Sequence, residues 1–97
     1  MKTGTLYTFK IVNGDEIIAR VKQVHDDYIE VDNSLTVVLT ASGTQLVQSL
    51  FTSNPRESIM LNKSSIAMYV ETRPEIENSY TEATTGIKTV SKQIITG

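Results

Sequence analysis

Tyr7 to Val12 and Glu16 to Val24 each alternate side chains at period two, and Asn13-Gly14 stands between them. Alternation of this kind puts one set of side chains on each face of a strand. An Asn-Gly pair between two such runs is the strongest short-range hairpin signal, because both central residues of a type I′ turn need positive φ. In the first run Tyr7, Phe9 and Ile11 alternate with Thr8 and Lys10. In the second, Ile17, Ala19 and Val21 (with Gln23) share one face, and Ile18, Arg20, Lys22 and Val24 the other. His25-Asp26-Asp27 reads as another tight turn. Tyr28 to Asp32 then alternates again, with Ile29 and Val31 inward and Tyr28, Glu30 and Asp32 outward. Three strands in a meander commit the chain to an antiparallel sheet.

The pattern continues to residue 71. Asp32-Asn33-Ser34 reads as a turn and Leu35 to Thr40 as an apolar strand suited to burial on both faces. Gln45 to Phe51 fits either a strand or a helical stripe, and Gly43 before it and Asn54-Pro55 after it favour the strand. Ser58 to Leu61 is a strand, Asn62-Lys63-Ser64-Ser65 a polar turn, and Ile66 to Glu71 a last strand with Ile66, Met68 and Val70 on one face. Short strands without intervening helices indicate a small all-β barrel or sandwich. The barrel suits the length, since a sandwich needs about 100 ordered residues. Arg73-Pro74 divides residues 1–72, the barrel domain, from a C-terminal extension, 73–97. There Glu75, Glu77 and Glu82 precede Lys88 and Lys92, a charge order that suits a short helix near 75–84. Thr84-Thr85-Gly86 is expected to end it, leaving a flexible or strand-like end that carries the apolar patch Val90 to Ile95.

Composition removes several function classes. The chain has 97 residues, no Cys and one His, so disulfide frameworks, Cys-based zinc sites and multi-histidine metal centres are excluded. No apolar run approaches the roughly 18 residues of a membrane span. Met1 to Phe9 lacks the basic-then-apolar pattern of a signal peptide, so a cytoplasmic protein is expected, in a host cytoplasm if the source is viral. The net charge of −2 argues against strong non-specific nucleic-acid binding, while leaving room for a local basic patch.

The order of pieces resembles the Sm/LSm family, in its divergent phage or marine-metagenome form. Phe9-Lys10-Ile11-Val12-Asn13-Gly14 matches the opening of the family's first motif. Ala19 stands at its Gly, Val21 at its Leu, Asp26 or Asp27 at its turn Asp, Ile29 at the following apolar residue and Leu35 at the later Leu. Leu61-Asn62-Lys63-Ser64-Ser65-Ile66-Ala67-Met68-Tyr69-Val70 has the spacing and apolar frame of the second motif. Asn62 replaces its basic residue, Lys63 its Gly, and Glu30 the Asn of the first motif. The resemblance covers most of residues 6–71. It implies a strongly bent five-stranded SH3-like barrel that pairs its fourth strand with the fifth strand of the next copy. The ring so formed has roughly five to seven subunits and binds single-stranded RNA or DNA without catalysis. The alternative is a ring acting as a structural or protein-interaction module, such as a viral assembly adaptor.

The candidate residues each carry a plain reading beside a functional one. His25 has no Ser or Cys partner at a triad spacing, so it is a surface turn residue or, in a ring, a platform for a base. Tyr28 packs across strands or stacks on a base. Asp26, Asp27, Glu30 and Asp32 form a solvated acidic face rather than a calcium loop or an acid/base pair. In a ring, Asp26 or Asp27 orients the pocket backbone. Asn62 and Lys63 are ordinary turn residues, or an amide that reads a base edge and a cation that the ring repeats around its axis. Leu46, Val47 and Leu50 on one strand and Ile66, Met68 and Val70 on another are the candidate subunit interface. No metal, no cofactor and no membrane partner is expected.

Overall fold

The computed structural model describes residues 1–54 and 56–96, with side chains in the C-terminal helix described through residue 85. Strands β1 (Leu6–Ile11) and β2 (Glu16–Val24) form the first hairpin as expected, but through another turn. Gly14 N donates to Ile11 O and Ile11 N to Asp15 O, both at 2.8 Å. Gly14 takes φ 102°, whereas Asn13 stays out of the positive-φ region. Asn13 Oδ1 accepts from Asp15 N at 2.9 Å instead, which holds a three-residue loop whose last position needs Gly.

Strand β3 (Tyr28–Thr40) runs 13 residues without a break, where the sequence predicts two strands joined at 32–34. Asn33, at φ 50°, sits in a bulge: Arg20 faces Asp32 and Ile18 faces Leu35. A bulge bends a strand and leaves its pairing intact on both sides, so polar turn residues here produce a corner rather than an end. Strand β4 (Gly43–Gln48) pairs with the outer half of β3, and β5 (Ile59–Asn62) with the inner half. The corner in β3 explains why β4 stops before the predicted Phe51: the 49–58 loop crosses the bend. Leu50 and Phe51 lie exposed in that loop, and Pro55 lies outside the described residues. A 3₁₀ turn, Lys63–Ser65, leads into β6 (Ile66–Glu71), which pairs with β1.

All pairings are antiparallel, in the order β4-β3-β2-β1-β6 with β5 beside β3. The chain is thus a small, mostly β fold of six strands rather than five. Among the described residues no ladder joins β6 to β4 or β5, so hydrogen bonds do not close a barrel.

The two faces of the sheet bury two clusters. Tyr7, Phe9, Ile17, Ala19, Val21, Ile29 and Val31 fill the concave side, as the alternation predicts. Ile18, which shares its face with Arg20, Lys22 and Val24, is buried with Leu6, Leu35 and Tyr80. Its cover is helix α1 (Pro74–Thr96), which lays Ile76, Tyr80 and Ala83 across that face. The expected short helix is therefore 23 residues long. Thr-rich sequence does not end it, because docking of Ile76, Tyr80 and Ala83 outweighs weak propensity, while the Thr81 and Thr84 hydroxyls donate to the carbonyls of Glu77 and Tyr80. The flexible or strand-like end is replaced by helix, and the side chains of the 90–95 patch lie outside the described residues. Among the described residues, no helix is long and apolar enough to cross a membrane.

A second bulge changes the face of β6. Ile11 faces Ile66, whereas Lys10 faces Met68, so Ala67 is the extra residue. Ile66 packs against the concave cluster. Beyond the bulge it is Tyr69, not Met68, whose ring lies on Tyr7 and Phe9 (centroids 6.0 and 6.4 Å). The predicted common face of Ile66, Met68 and Val70 is thereby broken.

Candidate functional site

The β2–β3 turn and the turn between β5 and β6 meet at one end of the sheet. Their meeting follows from register: Tyr28, first residue of β3, pairs with Asn62, last residue of β5. Lys63 N then donates to the Asp27 carbonyl at 3.0 Å, which ties the second turn to the first. His25, Asp26, Asp27, Tyr28, Asn62 and Lys63, which fall in two stretches well apart in sequence, thus form one patch.

Within it, His25 and Tyr28 stack on each other, with ring centroids 4.4 Å apart and planes 21° from parallel. His25 N donates to the Tyr28 carbonyl at 2.9 Å, so the tight turn brings the two side chains within reach of each other. Tyr28 is half-buried. His25 Nε2 is buried and has no hydrogen-bond partner. The Glu30 carboxylate lies 3.5 Å away, longer than the usual span of such a bond. Asn62 and Lys63 are both exposed. The Asn62 side chain makes no capping bond to the 3₁₀ turn, and Lys63 forms no ion pair among the described residues. An amide and an ammonium group therefore stand free beside a pair of stacked rings. Such a set can bind a flat, hydrogen-bonding, anionic ligand.

The acidic run is divided between uses. Asp26 and Asp27 are exposed on the turn. Glu30 takes Lys22 at 3.7 Å, and Asp32 accepts from Ser58 Oγ at 2.8 Å. Lys22 Nζ also donates to Ser58 Oγ at 3.3 Å, so these groups stitch β2, β3 and the end of the 49–58 loop together. Among the described residues no three of His, Cys, Asp or Glu converge as metal ligands.

The candidate interface residues have mixed surroundings. Leu46 packs inside the chain against the helix-side cluster, and Ile66 against the concave one. Val47 is half-buried. Leu50, Met68 and Val70 are exposed at 49%, 66% and 64%. The outer edges of β4, β5 and β6 pair with nothing among the described residues.

One element of the site escaped sequence reasoning. An open groove of about 550 Å³ runs from Lys63 along β6, lined by Val24, Ile66, Met68 and Tyr69. The aromatic Tyr69 within an edge strand was the available signal, obscured because strict alternation across Ala67 assigns it to the wrong face.

No protein-family model matches the chain, and no curated protein is detectably similar to it in sequence.

Proposed function

We propose that the chain is an Sm-like ring subunit that binds single-stranded RNA or DNA at the patch formed by its two turns, without catalysis. The observation that carries this reading is the junction of the two motifs through the Tyr28–Asn62 pair and the Lys63–Asp27 bond. The strand order, with the last strand returning beside the first after a 3₁₀ turn, is the arrangement expected of an SH3-like barrel. The unpaired edges of β4, β5 and β6 supply the means of assembly, one copy's β6 extending the next copy's sheet. Each added subunit then brings another Tyr28, Asn62 and Lys63 to a circular surface, and weak single contacts add through their proximity. A strand that lacks a neighbour in the monomer gains one in the ring, which satisfies the edge's amides and carbonyls.

Two measurements test the reading. Size-exclusion chromatography with light scattering is expected to give a closed oligomer of roughly five to seven subunits. Fluorescence anisotropy with labelled oligo-U, oligo-A and single-stranded DNA is expected to show binding that weakens as salt rises. Lys63→Ala is expected to weaken binding and flatten the salt dependence. A stable monomer defeats the ring. An intact ring that binds none of the oligomers at low salt defeats the nucleic-acid reading and favours the protein-interaction module, to which the exposed carboxylates of Asp26 and Asp27 beside Lys63 are better suited.

A further inference from the structure

His25 already occupies a face of Tyr28. The imidazole lies 4.4 Å from the phenol ring and within 21° of parallel, the arrangement a stacked nucleobase would take. A base cannot enter between two rings at that separation. The two residues therefore cannot both clasp one base from opposite sides, as their sequence proximity invites one to suppose.

The closed arrangement also carries a cost. Nε2 is buried without a partner, and the Glu30 carboxylate beside it stands at 3.5 Å. A buried nitrogen deprived of water and of any hydrogen bond favours a swing into solvent, and stacking on Tyr28 opposes that swing. The two contributions oppose each other. The backbone bond from His25 N to the Tyr28 carbonyl holds the turn in place, so the movement needs only rotation about the His25 side-chain bonds.

We propose that His25 is an intramolecular placeholder for the base: it covers Tyr28 in the free protein and is displaced when a nucleobase stacks there. This rests on the nucleic-acid reading above and assigns the two rings different roles. Tyr28 is the platform, and His25 is a positioning residue that competes with the ligand. Once displaced, the imidazole recovers its hydration, which offsets part of the stacking lost.

The test measures anisotropy of labelled oligo-U with the full chain and with His25→Ala, His25→Asn and Tyr28→Ala. Circular dichroism and oligomeric state are checked for each, and His25→Asn keeps a polar turn residue in case the alanine disturbs the turn. Apparent affinity is reduced in proportion to the fraction of sites that are open, so removing a placeholder tightens binding by up to about tenfold, the range of one aromatic stack. Both His25 variants are expected to bind more tightly than the parent, while Tyr28→Ala loses binding. Tyrosine emission of the free His25→Ala protein is expected to differ from the parent, reporting the uncovered ring without any ligand. Should the His25 variants bind equally or more weakly while Tyr28→Ala still loses binding, the placeholder is overturned and the nucleic-acid reading stands. Binding by His25→Ala alone supports it. Should neither the parent nor either His25 variant bind, both proposals fall.

Discussion

Tyr80 is the residue through which the helix depends on the corner in the sheet, and its replacement has a calculable effect. The side chain is 2% exposed and lies among Leu6, Ile18 and Leu35. Its hydroxyl lies 2.9 Å from the Asn33 carbonyl and 3.2 Å from that of Asp32, both at the bulge. Tyr80→Phe keeps the ring and removes the donor. One net hydrogen bond is worth about 1 kcal/mol, which sets the expected cost of this change. Tyr80→Ala removes the ring as well and is expected to cost about 3–5 kcal/mol, as for other large aromatic side chains in cores. In a domain of this size 1 kcal/mol corresponds to a shift of about 4–8 °C in Tm. Urea and thermal unfolding of the three proteins, at one fixed protein concentration so that association does not contribute, gives both numbers. The phenol adds a pH signature. Burial pushes its pKa up from 10.0 to about 12, with Arg20 nearby opposing the shift. The unfolded chain therefore ionises first. Tyr80's contribution is fully present below pH 10 and is lost as pH rises through about 12, so the gap between the parent and Tyr80→Phe narrows over that window. Equal stability of Tyr80→Phe and the parent at pH 7 would refute the claim that this hydroxyl secures the bulge.

Other consequences are open to simpler checks. Gly14→Ala meets open space but a φ of 102°, so it should destabilise by about 1–2 kcal/mol through backbone strain alone, read from the urea midpoint. Asn33→Gly should be nearly neutral, and Asn33→Val should cost more than about 1 kcal/mol, because a β-branched residue resists φ 50°. Phe9→Ala, at a wholly buried position in the concave cluster, is expected to cost about 3–5 kcal/mol by the same measurement. On the proposed ring, Met68→Lys, on the exposed edge strand, should leave the circular dichroism spectrum unchanged and shift light scattering toward smaller species.

Local chemistry determined much of this protein without help. Period-two alternation is a property of the strand itself, and it located β1, β2, the first part of β3 and β6 along with the concave core of Phe9, Val21, Ile29 and Val31. It also singled out the two turns whose residues form the candidate site. What alternation cannot see is cover. Ile18 shares its strand face with Arg20 and Lys22, and Leu35 reads as buried without a named cover, because the surface that buries both belongs to a helix some forty residues away or more, and that helix has too many threonines and a glycine to announce its length. Bulges are similarly invisible. Asp32-Asn33-Ser34 has the composition of a turn, and only pairing on both sides, with the Tyr80 hydroxyl on the carbonyls of Asp32 and Asn33, makes it a corner within one strand. The contact between the two turns was decided last of all: the residues were legible one by one, while the Tyr28–Asn62 register and the stacking of His25 on Tyr28 exist only once the chain has closed on itself.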